Sequence, residues 1–133
     1  MRDNDMAVIA ASPAASLLLA VMVVVSLIAL FKLPQWIERG VFRPYWVARR
    51  NEWGTLVSSA FLHADLTHLF FNGFTFWAFG FGLERAIGTP KFVALFVFGL
   101  LVSDAVTWLR HHTEPGYRTL GASGAIGAVL FAS

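Results

Sequence analysis

Between residues 6 and 31 the chain carries no charged side chain, and long apolar runs separated by short polar clusters recur after it. The second run covers residues 66–83. It closes with Glu84-Arg85 and then Gly88-Thr89-Pro90, a helix stop followed by a turn. The third, 92–109, is flanked by Lys91 and Arg110 and interrupted only by Asp104. A polar loop, 111–118, leads into residues 119–133. At about 1.5 Å per residue the first run exceeds a hydrocarbon core of ~30 Å, so it can span with tilt. The pattern predicts helices over 7–32, 66–84, 91–110 and 120–133: three complete spans and a partial fourth. The last piece would reach only about 22 Å, short of a full crossing. Pro13 falls in the first two turns of its helix, where proline costs least. The connector 33–65 holds Pro34, Gly40, Pro44 and Gly54. Its Arg43-Pro44-Tyr45-Trp46 and Arg49-Arg50 pair aromatic rings with cations, as interfacial anchors do, and at least one short helix is expected along the bundle.

Composition fixes the solvent. The chain is 57% hydrophobic and 14% charged, where a soluble domain carries about a quarter charged residues. Backbone exposed to lipid must form helices or a closed barrel, and barrel strands alternate apolar with polar residues. The continuous apolar runs therefore predict an all-α membrane protein of one domain, residues 1–133. The first run is too long for the apolar part of a signal peptide, so it is expected to be retained. There is no cysteine, which removes disulfides and thiolate metal sites. The net charge is +2 with scattered basic residues, so no stripe for nucleic acid exists. Five tryptophans and two tyrosines fit an interfacial belt. Of ten Lys/Arg, only Arg2, Arg85 and Lys91 lie outside the first and third loops. Taken alone, that bias puts the N-terminus outside.

Two polar constellations interrupt the apolar pattern. Gly121-Ala122-Ser123-Gly124 opens the fourth helix. Its small residues, continued by Ala125, Gly127 and Ala128, suit close packing of membrane helices. They also suit a nucleophilic hydroxyl, because flanking glycines admit a substrate carbonyl and a helix start offers free N–H donors. His68 and Asn72, four residues apart, share one face of the second span. Polar groups at such depth mark a site or an interhelical hydrogen bond. The histidines 63, 68, 111 and 112 lack a metal-binding spacing and acidic companions, so no metal is expected.

Phe61-Leu62-His63, His68-Leu69 and Asn72 together resemble the second-helix signature of the rhomboid family. Gly80, Glu84 and Gly88 are similar to that family's helix-end pattern, and Gly-Ala-Ser-Gly to the start of its fourth helix. Order and spacing agree over about residues 53–133. The resemblance implies an intramembrane serine endopeptidase with Ser123 as nucleophile. It also implies an oxyanion hole formed by His68, Asn72 and the Ser123 N–H. Gly121 would allow close helix contact, His63 would order the helix start and loop, and Glu84 would tie down the end of the second span. The substrates implied are single-pass transmembrane proteins, cleaved without metal or cofactor. The implied location is a bacterial plasma membrane with the N-terminus in the cytoplasm, against the charge count.

Two departures stand out. Trp53 is followed by Gly54 where the family usually has Arg. The family's general base is a histidine on the sixth helix, whereas this sequence reaches the fourth, and His111 and His112 are read as loop residues. The expectation is an N-terminal fragment without activity of its own, with the dyad histidine lying beyond it. An inactive rhomboid-like protein that captures transmembrane clients is the alternative, and a plain helical subunit with interhelical polar glue a third reading.

Overall fold

The computed structural model describes residues 3–121, 124 and 126–128. The described residues form an all-helical bundle with one isolated antiparallel pair, Phe42 with Thr119. Where one helix was expected over 7–32 there are two, α1 (Asp3–Ala11) and α2 (Pro13–Phe31). Pro13 supplies no N–H, and its ring opposes the carbonyl four residues earlier, so the first helix ends and a second starts on the proline. The break is held from outside: the buried Ser12 hydroxyl donates to the Phe81 carbonyl at 2.9 Å.

The connector contains two short helices, α3 (Gln35–Gly40) and α4 (Thr55–Phe61). They touch closely, since a Cβ on Gly40 would lie 2.3 Å from Leu62 Cδ1, and Ser58 Oγ donates to the Gly40 carbonyl at 2.9 Å. Beyond them α5 (Leu66–Ile87) runs three residues past its expected end and α6 (Thr89–His111) starts two residues early. Glu84-Arg85 does not stop α5. Gly88 does, at φ +89°, a conformation that favours glycine, and α6 begins on the next residue. His111 accordingly closes α6 rather than lying in the loop. In the fourth segment Gly121 is a bend, and Gly124 and residues 126–128 are helical, so that helix begins after Gly121 rather than at 120. Its expected continuation over 129–133 lies outside the described residues.

Glu84 joins three helices. Its side chain is 1% exposed. One carboxyl oxygen accepts from the Ala15 N–H at 2.7 Å, and the other from the Ala14 N–H at 3.0 Å and the Thr89 hydroxyl at 2.7 Å. The first-turn donors of α2, which Pro13 and Ser12 leave without side-chain caps, are thus satisfied by a residue of α5. Around this point Met22, Leu69, Phe76, Phe92 and Phe96 form the core, with Phe76 meeting Phe92 and Phe96 edge-on at 6.1 Å.

Helices α2 and α6 are long and apolar enough to cross a membrane. Helix α5, 22 residues long, reaches about 33 Å but carries His68, Asn72, Glu84 and Arg85. The bundle turns large apolar side chains outward, among them Leu17, Phe70, Phe71, Trp77, Phe98 and Leu109. Their extent far exceeds what water tolerates on a monomer and suits lipid. Replacing Glu84 by Ala would strand two N–H groups and a hydroxyl. The expected loss is about 2–4 kcal/mol of stability, seen as earlier thermal unfolding in detergent micelles.

Candidate functional site

The site is built where the fourth segment returns against the start of α5. Asp65 caps that helix, its carboxyl oxygen accepting from the His68 N–H at 2.7 Å. The cap fixes the register that puts His68 and Asn72 on the inner face. Gly121 lies directly on them: a Cβ there would be 2.6 Å from His68 Cε1, 2.9 Å from His68 Nε2 and 3.4 Å from Asn72 Nδ2. Its φ of +105° is open to glycine and strained for other residues.

The connector holds this segment in place. The Gly121 N–H donates to the Ser59 carbonyl of α4 at 2.8 Å, and Phe42 and Thr119 exchange backbone bonds at 3.1 and 3.0 Å. Arg118 forms a two-pronged pair with Glu38 at 3.0 and 2.9 Å, and Trp46 Nε1 donates to the Pro115 carbonyl at 2.9 Å. The hydrogen bond from Arg118, reinforced by its charge, lowers the Glu38 pKa. Trp53, which lacks the arginine neighbour, is exposed.

His63 sits behind this surface, fully buried in the loop before α5. Its Nδ1 lies 2.9 Å from Ser26 Oγ of α2, and its Nε2 lies 3.0 Å from Asn72 Nδ2. Ser26 also donates to the Phe61 carbonyl at 2.8 Å. The His63 and His68 rings meet edge to face at 5.0 Å. Burial pushes the His63 pKa down to about 4; the His68 charge acts in the same direction, and Asp65 opposes it. His63 is therefore neutral at pH 7.

His63, His68, Asn72 and Gly121 thus come together, while Glu84 sits apart, three turns farther along α5 from Asn72. Ser123 lies outside the described residues, and so does its expected meeting with His68 and Asn72; Gly121, two positions earlier, is the neighbour the structure places. Ala122 and Ala125 lie outside them as well, but Gly124 is packed so tightly that a Cβ would lie 2.1 Å from Ser103 Oγ of α6. His111 pairs with Glu114 and stacks on Tyr117, and His112 Nδ1 lies 3.0 Å from the Trp108 carbonyl.

The rhomboid domain family matches residues 50–133. The chain belongs to the rhomboid family. YdcA of Bacillus subtilis is 36% identical over 86 residues, covering 61% of this chain and 42% of the relative. The rhomboid protease GluP of the same organism is 30% identical over 86 residues, or 62% of this chain and 16% of the relative. The mitochondrial presenilin-associated rhomboid-like protein of Rattus norvegicus is 32% identical over 78 residues, or 58% and 21%. The chain therefore spans 42% or less of the length of these relatives. Family and apolar helices together place this rhomboid in a membrane.

Three further residues contribute to the site: Asp65, Ser26 and Ser59. Asp65 was visible as an acidic residue directly before an apolar run, a capping signal. Ser26 and the Ser59 carbonyl carry no signal, because a serine in an apolar run looks like any small residue and a carbonyl exists at every position.

Gly121→Ala is expected to destabilise this rhomboid by about 1–3 kcal/mol through its φ alone, with further loss from the clash with His68, measurable by denaturant titration in micelles. His63 binds protons more readily unfolded than folded. Stability present above pH ~6.5 should therefore drain away as pH falls toward 4, and His63→Gln should flatten that slope.

Proposed function

We propose that this rhomboid is an intramembrane serine endopeptidase in which Ser123 attacks the scissile carbonyl of a single-pass transmembrane substrate. The observation that carries this reading is Gly121, at positive φ and without a side chain, resting on His68 and Asn72 two residues before Ser123. The reading requires Ser123 to bring its hydroxyl and N–H to the same cavity as those two side chains, because an oxyanion hole needs its donors around one oxygen. In this mechanism His68, Asn72 and the Ser123 N–H stabilise the tetrahedral oxyanion. A serine hydroxyl reacts at neutral pH only when an adjacent base takes its proton. His63 is tied to Ser26 and Asn72, and His111 to Glu114 and Tyr117. The base is assigned instead to a histidine outside these 133 residues, and the reaction uses neither metal nor cofactor. Three spans, α2, α5 and α6, carry the site with the helix that follows Gly121, in a bacterial plasma membrane with the N-terminus cytoplasmic.

In membranes containing the full-length gene product, a serine-directed phosphonate should label the wild type and not Ser123→Ala. His68→Ala and Asn72→Ala should each lower kcat by about 100-fold on a transmembrane substrate, as removal of one oxyanion donor does. A folded wild type that binds transmembrane peptides without labelling or cleavage would instead establish the client-binding alternative.

A further inference from the structure

Three polar side chains from separate parts of the chain form a line behind the site: Ser26 of α2, His63 of the loop and Asn72 of α5. The direction of every proton in that line follows from its first member. The Phe61 carbonyl can only accept, so the arrangement that satisfies it gives it the single Ser26 hydroxyl proton, at 2.8 Å. Ser26 Oγ can then meet His63 Nδ1, 2.9 Å away, only as an acceptor, which places the imidazole proton on Nδ1. A neutral ring protonated there presents a lone pair at Nε2. Asn72 must therefore turn its Nδ2, and not its carbonyl oxygen, toward His63 at 3.0 Å.

We propose that Ser26 is a positioning residue that, through the His63 tautomer, fixes which end of the Asn72 carboxamide faces Gly121. Nδ2 carries two N–H bonds. One is used on His63, and the other remains for the site, with the nitrogen 3.4 Å from where a Gly121 Cβ would stand. The opposite tautomer puts a proton on Nε2, which attracts the Asn72 carbonyl oxygen and turns the carboxamide over. An acceptor then stands where the site needs a donor, and it repels a developing oxyanion instead of binding it. Second-sphere partners that fix a ring's tautomer have the same effect on histidines at metal sites. The Phe61 carbonyl suits the role because it ends α4, where the last carbonyls have no partner within their own helix. What the free N–H does in turnover rests on the protease reading above; the orientation of Asn72 does not.

The test uses the full-length protein with 15N-labelled histidine in lipid bilayers, together with turnover of a transmembrane substrate. In the wild type the His63 resonances should report a protonated Nδ1 and an unprotonated Nε2. Ser26→Ala should shift the ring toward the Nε2-protonated form and lower kcat by about tenfold with KM unchanged. Ser26→Thr, which keeps the hydroxyl, should restore both. A wild-type ring protonated at Nε2 overturns the proposal without recourse to any variant, so it stays decidable if Ser26→Ala does not fold. So does a Ser26→Ala protein with the wild-type tautomer, or one with a changed tautomer and unchanged kcat. A wild type with the expected tautomer and no phosphonate labelling would remove the protease reading while supporting the orientation of Asn72.

Discussion

The Glu84 carboxyl group is shared by three helices, and the arrangement of the bundle follows from that sharing. It accepts from two N–H groups at the start of α2 and from the Thr89 hydroxyl at the start of α6, while its own backbone belongs to the last turn of α5. An acceptor buried in lipid-facing protein cannot fall back on water, so these bonds have no equivalent substitute in another packing. Sliding α2 against α5 by even one turn would strip Glu84 of both backbone donors and leave two amides unsatisfied. The register of the two helices is thereby set at one end of the molecule.

At the other end the same register brings Ser26 of α2 level with His63 and Asn72. The two clusters lie about 18 Å apart along α5, twelve residues at 1.5 Å each, with the apolar contacts of Met22, Leu69 and Phe76 between them. Polar bonds thus determine where the helices stop against one another, and hydrocarbon packing fills the span between. The connector adds a third hold on the opposite side, clasping residues 115–121 through Trp46, Glu38, Phe42 and Ser59. Gly121 is pressed between that clasp and the α5 face, and its freedom from a side chain admits it there.

The helical class and the order of elements were legible because lipid imposes long apolar runs, which survive any local detail. What the runs could not show was where a helix is interrupted by chemistry supplied from elsewhere. Pro13 read as a tolerated early proline, yet with Ser12 bonded to Phe81 it divides the first helix in two. Glu84-Arg85 read as a stop because charges usually end an apolar run, but a buried carboxyl group with three donors need not leave the helix. At the site, His68 and Asn72 share a face by spacing alone. Their meeting with Gly121 depends on bonds to the Ser59 carbonyl and to Phe42, which no periodicity encodes. Ser26 was unreadable for the same reason: its partners are 35 and 37 residues away.

The division at Pro13 makes the start of α2 depend on a distant part of the chain. The residue that closes the first-turn amides of α2, Glu84, follows the whole connector, residues 33–65, and most of α5 in the chain. Helix α5, with its histidine, asparagine and glutamate, is in turn the span least able to settle in hydrocarbon by itself. Each supplies what the other lacks: α2 brings donors to Glu84, and α5 brings the acceptor that closes the first turn of α2. In the folded protein the first turn of α2 is thus closed by a single acidic side chain from the far end of a later helix.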